Sequence, residues 1–228
     1  MLTSKRYVGV RFPYKPDAGY TITANGARFF DCVFEAGFTA TGNDLDMRHV
    51  EVLGGVGLSG VERARFERLL IHRSGADLFN ATGDAGPCTD IEVIDTCIRG
   101  SAPRAGAHAD GISLRGVTRA RFVNVVSDLA DWFQVAGADV KNAALFLDGD
   151  PATGGNHDVA FYGCLFNGGG YTITAGATNE DLTFVDCRVG DDWEFDTALF
   201  TGTYNVIRND GNQMLTRPVV VPGLPAAV

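Results

Sequence analysis

The segment Ala107-His108-Ala109-Asp110-Gly111-Ile112 sets an imidazole two residues from a carboxylate, where a loop runs into a strand-like stretch. Sharing one pocket, the two groups could do general acid–base work. One repeat later, Asp131-Trp132-Phe133-Gln134 is expected to stack on Asp110-Gly111-Ile112-Ser113, making Asp110 and Asp131 lateral neighbours with Asp128 close by. Two carboxylates about 5 Å apart or somewhat more suit glycoside hydrolysis. His108, Asp110 and Asp131 are therefore the candidate catalytic residues. The competing reading is that an Asp at the turn of a repeated strand bonds backbone groups and does no chemistry.

Around them, Trp132, Gln134, Tyr171 and Arg115 are the expected substrate contacts, with Tyr162 and Trp193 as further aromatics. An aromatic face suits the apolar face of a pyranose, although Phe-rich repeats also need aromatics for packing. A lyase acting on uronates would need a cation to neutralise the substrate carboxylate. Lys141 has no evident partner for that task, and Arg115, Arg119 and Arg121 read equally well as solvated strand edges. Asp148-Gly149-Asp150 with Asn156 and Asp158 offers oxygens that could take calcium, at a spacing that fits no EF-hand. No cofactor and no dedicated metal site are expected.

These residues need a scaffold, and the repeats define it. Ala27-Arg28-Phe29-Phe30-Asp31-Cys32-Val33-Phe34 recurs in pattern as Val159 to Phe166, as Leu182 to Val189 and as Ile91 to Ile98. Leu58-Ser59-Gly60-Val61-Glu62-Arg63-Ala64-Arg65-Phe66 is nearly copied by Leu114 to Phe122, and Gly19-Tyr20-Thr21-Ile22-Thr23-Ala24 is identical to Gly170 to Ala175. Boundaries near Gly19, Gly37, Gly55, Ala76, Asp110, Asp131, His157 and Gly170 give a usual period of about twenty residues with longer excursions, a solenoid period.

Alternation with β-branched and aromatic residues says strand, and every copy runs in the same direction, so hairpins are excluded. The expected fold is all-β: a single-stranded right-handed parallel β-helix of about eight or nine coils. Phe29, Phe66, Val93, Phe122, Phe161 and Phe184 should point inward and stack on one another. Asp31, Asp95, Asn124 and Asp186 should sit at strand-to-turn positions and bond turn backbone. The division expected is an N-terminal cap or arm over 1–18, the β-helix over 19–208, and an extended tail over 209–228 that grasps a neighbour.

Composition narrows the partners. With 228 residues, 45% of them hydrophobic, the chain can bury a real core. A net charge of −9 argues against nucleic acid, which needs clustered cations to release counterions. No stretch has the length and apolarity of a membrane span, and the charges and prolines of the first twenty residues leave no secretion signal to expect. Cys32, Cys88, Cys97, Cys164 and Cys187 lack zinc spacing and read as small buried hydrophobes.

The run from Ile91-Glu92-Val93-Ile94-Asp95-Thr96 through His108-Ala109-Asp110-Gly111-Ile112 to Gly168-Gly169-Gly170-Tyr171-Thr172-Ile173 and Asp186-Cys187-Arg188-Val189-Gly190 resembles the right-handed parallel β-helix repeat proteins of actinobacteria and their phages, related in fold to pectate lyases. The likeness covers about residues 27 to 200. It implies a virion surface component, a minor tail protein or capsid decoration, assembled as a homotrimer with other virion proteins, whose groove binds a cell-surface polysaccharide. The alternative it implies is a polysaccharide lyase or glycoside hydrolase working outside the cell.

Overall fold

The computed structural model describes residues 1–2, 5–15, 19–83, 85–101, 108–130, 142–148, 154–176, 178–193, 196–200 and 206–214. Among them every regular element is a strand, and the strands form three sheets in which each neighbour is parallel. Sheet I takes nine strands: Arg6–Val8, Arg28–Phe30, Leu45–Arg48, Glu62–Glu67, Cys88–Ile94, Val117–Val123, His157–Tyr162, Glu180–Val185 and Val206–Asp210. Sheet II takes the strand that follows each of these, from Arg11–Phe12 to Gln213–Met214, and sheet III the next, from Tyr20–Ile22 to Asp196–Phe200. One pass through the three sheets is a coil, and the chain makes a parallel β-helix of nine coils, the last lacking a sheet III strand among the described residues. The stretch expected as an N-terminal arm supplies Arg6–Val8 and Arg11–Phe12, and Leu2 bridges Ile22, so the solenoid starts near the first residue described. At the other end, strands run on to Met214, past the expected boundary at 208.

The interior follows from alternation. Sheet I carries the inward row Tyr7, Phe29, Met47, Phe66, Val93, Phe122, Phe161, Phe184, each in register with the next. The rings stack: centroids lie 4.8 Å apart for Tyr7 and Phe29 and 5.0 Å apart both for Phe122 with Phe161 and for Phe161 with Phe184. Coil spacing and offset ring stacking coincide, so one repeated Phe position gains both β pairing and aromatic contact. All five cysteines are free and buried.

The corner from sheet I to sheet II is one residue held at positive φ in every coil: Gly9, Asp31, His49, Arg68, Asp95, Asn124, Gly163, Asp186 and Gly211. Asp and Asn tolerate this left-handed region better than other side chains. Their expected bonds to turn backbone are replaced by bonds along the ladder, His49 Nδ1 to Asp31 at 3.3 Å and Asn124 Nδ2 to Asp95 at 3.2 Å.

Two expectations of register are corrected. Sheet III in the sixth coil is Ala143–Asp148, paired with Ile112–Arg115 so that Ile112 faces Leu145. The residue stacked on Asp110 is therefore Ala143, 33 residues away, and not Asp131. The longer excursion was invisible to a period of twenty. The identical Gly-Tyr-Thr-Ile-Thr-Ala segments are also out of phase: the sheet III row runs Tyr20, Phe38, Val56, Phe79, Ile112, Leu145, Ile173. Tyr20 thus corresponds to Ile173, and Tyr171 lies two residues earlier, opposite Ala143. A slip of two keeps the alternation of faces, so sequence identity alone does not decide it.

Candidate cleft on the outer face of sheet III

The outward faces of sheets I and III differ in kind. On sheet I, outward rows alternate in sign, and their members neutralise one another. Arg63 binds Asp44 at 2.5 Å, Arg119 binds Asp90 at 2.6 Å, and Arg65 bonds Glu92 and reaches Glu67 at 3.1 Å. The outward rows of sheet III carry small polar groups through the early coils, Thr21, Thr39, Gly57, Asn80, Ser113 in one row and Ser59, Thr82, Arg115 in the next.

A cleft of about 330 Å³ opens on sheet III at the fourth to sixth coils, lined by Asp77, Asn80, Thr82, His108, Asp110, Ser113, Arg115, Asn142 and Phe146. Its size falls at the lower end of small-ligand pockets, roughly 300–1,000 Å³. Asp77 and Asp110 hold equivalent places in adjacent coils, just before the sheet III strands. Asp77 Oδ1 accepts the Asp110 N–H at 3.0 Å, and Asp110 Oδ1 accepts the Ala143 N–H at 2.9 Å. Their second oxygens take the side-chain amides of Asn80 at 2.8 Å and Asn142 at 3.2 Å. Gly111 belongs to this construction, because a Cβ there would lie 2.1 Å from Ser127 Oγ and 2.6 Å from the Ala144 carbonyl.

Electrostatics sets the pair's protonation. Burial, and then the charge of Asp77, push Asp110 up to about 8, against the pull of the Asn142 and Ala143 donors. Burial also raises Asp77, opposed by its bonds to the Asp110 amide and Asn80 and by the charges of Arg115 and His108. With its carboxyl raised to about 8, Asp110 is mostly protonated at neutral pH beside Asp77. Across the cleft, Arg115 Nε donates to Asp148 Oδ2 at 2.6 Å.

Of the expected site residues, His108, Asp110 and Arg115 line this one cleft, with His108 exposed at the rim. Tyr171 is in the same column as Asp77 and Asp110, one coil beyond Ala143. Asp131, Trp132, Gln134 and Lys141 lie outside the described residues. Arg119 and Arg121 belong to sheet I, and Tyr162 ends a sheet I strand. Of the oxygens weighed for calcium, Asp150 lies outside the described residues; Asp148 pairs with Arg115, Asn156 is fully buried and bonds the Leu114 and Asp148 carbonyls, and Asp158 lies at positive φ in sheet I. Among the described residues no group of three metal-ligating side chains forms. Six lining residues, Asp77, Asn80, Thr82, Ser113, Asn142 and Phe146, were not among the expected site residues. Asp77 carried no signal beyond its place in the excursion from Gly75, and Phe146 sits in the apolar run Ala143–Leu147, where only register reveals that it faces out.

Comparison with family models, with curated proteins and with solved structures returned no match. The class of protein is therefore defined by its architecture, a parallel β-helix with a polar cleft on one sheet.

Proposed function

We propose that this chain is a saccharide-binding β-helix of a virion surface, that the cleft on sheet III is its binding site, and that it assembles as a homotrimer. One observation carries the binding reading: the cleft brings directional polar groups, Asn80, Ser113, Thr82 and Asn142, beside the outward ring of Phe146. That mixture suits a sugar, whose hydroxyls need donors and acceptors while its ring presents an apolar face. The sheet extends on both sides of the cleft, so a chain of sugars has room to lie across several coils. The virion setting rests on the resemblance of the repeats. Retention on an array of immobilised glycans tests the binding reading. Phe146→Ala is expected to weaken binding at least tenfold while leaving the fold intact, because Phe146 is half-buried and on the outer face.

A second reading, glycoside hydrolysis, is favoured by the carboxyl pair. A protonated Asp110 is suited to give its proton to a glycosidic oxygen as the bond to the anomeric carbon breaks and Asp77, one coil away, forms an ester with that carbon; water then hydrolyses the ester and returns a proton to Asp110. Release of reducing ends from a bound glycan, abolished by Asp110→Asn, would establish it. A glycan recovered intact after prolonged incubation would leave binding alone.

A further inference from the structure

We infer that the cleft selects uncharged saccharides and rejects uronate-bearing ones; this rests on the saccharide-binding reading above. Among the described residues that line it, Arg115 is the one side chain of fixed positive charge, and Asp148 already occupies it at 2.6 Å. The Asp148 side chain is 19% exposed and that of Arg115 42%, so the carboxylate is the more sheltered partner. A uronate carboxylate arriving at Arg115 would meet a guanidinium whose charge Asp148 already offsets, with the Asp148 carboxylate beside it to repel a second anion.

The other side of the cleft is worse for an anion. Asp77 and Asp110 hold their oxygens against backbone and amide donors, using the donors that an incoming carboxylate would want. They share negative charge in a partly desolvated corner, where repulsion of a like charge is screened less than in open water. Beside His108 at the rim, the cleft offers a ligand uncharged, directional groups: the hydroxyl of Ser113, the amide atoms of Asn80 and Asn142 beyond the one N–H that each gives to its carboxylate, and the ring of Phe146. Discrimination here works by repulsion as much as by attraction.

The test is a panel of soluble oligosaccharides, neutral glucans, galactans, mannans and N-acetylhexosamine oligomers beside polygalacturonate and hyaluronate fragments, titrated calorimetrically into the full chain. Neutral members are expected to bind at least tenfold more tightly than uronate-bearing ones. Asp148→Asn, which removes one carboxylate charge from beside Arg115 and keeps a side-chain oxygen there, is expected to narrow that gap at least threefold. Uronates that bind as well as neutral sugars, or a preference unmoved in a folded Asp148→Asn variant, would overturn the inference and leave saccharide binding standing. Failure of every member to bind would overturn saccharide binding itself, and this inference with it.

Discussion

Asp110 carries two roles that conflict at neutral pH. Its carboxyl caps the Ala143 N–H of the next coil, which holds the corner of the solenoid, and it does so buried beside Asp77. An acid raised to about 8 in the folded chain, against 3.8 as its ordinary value, binds a proton that the unfolded chain has already released. Stability must therefore fall as pH rises from about 4 to about 8, and level off above it. Asp77, shifted in the same direction, adds to the slope, whereas Asp44 and Asp90, held low by Arg63 and Arg119, are too exposed to offset it. Thermal melts across this window should show a decline that flattens in Asp110→Asn, whose side-chain oxygen can still accept the Ala143 N–H. Equal slopes in the two proteins would mean that Asp110 is ionised throughout. Sequence alone made Asp110, His108 and Arg115 legible because they follow one another into a strand; the partner across the coil was not, since Asp77 meets Asp110 through an excursion whose length no repeat encodes.

The coil is the unit of stability, and its two demands are inward aromatic stacking and a left-handed corner. Phe122 stacks on Phe161 at 5.0 Å, meets the ring of Phe79 from sheet III edge-on at 6.1 Å, and is fully buried. Phe122→Ala should cost about 3–5 kcal/mol in denaturant unfolding. Asn124 holds the corner at φ 53 and bonds Asp95, so Asn124→Val, β-branched in the left-handed region, should cost about 1–3 kcal/mol in the same measurement. Asn124→Gly should stay within about 1 kcal/mol of the parent, because glycine meets φ without strain and loses one exposed bond. Alternation and copied segments were enough to place the Phe row, since period two is local. Register was not legible where it depends on loop length: Gly-Tyr-Thr-Ile-Thr-Ala fits the first and seventh coils two residues out of phase, and Ala143 stands where Asp131 was expected.

At the scale of the molecule, the outermost strands of the stack have one neighbour each among the described residues, and strand edges of that kind invite partners. Met1, Val8 and Tyr14, 76%, 53% and 66% exposed, all belong to the first coil, the end at which the proposed assembly would cover apolar side chains. Light scattering should give three chains per particle, and a chain ending at Met214, with all described strands retained, should fall to the monomer. A monomer at every concentration would remove the trimer and leave the cleft untouched, since its described lining comes from one chain. The sheet I lattice of paired charges and the hydroxyl-bearing rows of sheet III give the rod two distinct sides, and the account assigns recognition to the second. Amide hydrogen exchange with and without a neutral oligosaccharide that binds tests that assignment most directly. Added protection is expected only on sheet III, around Phe79–Thr82, Ile112–Arg115 and Ala143–Asp148. Protection on sheet I instead, with these three strands unchanged, would contradict it.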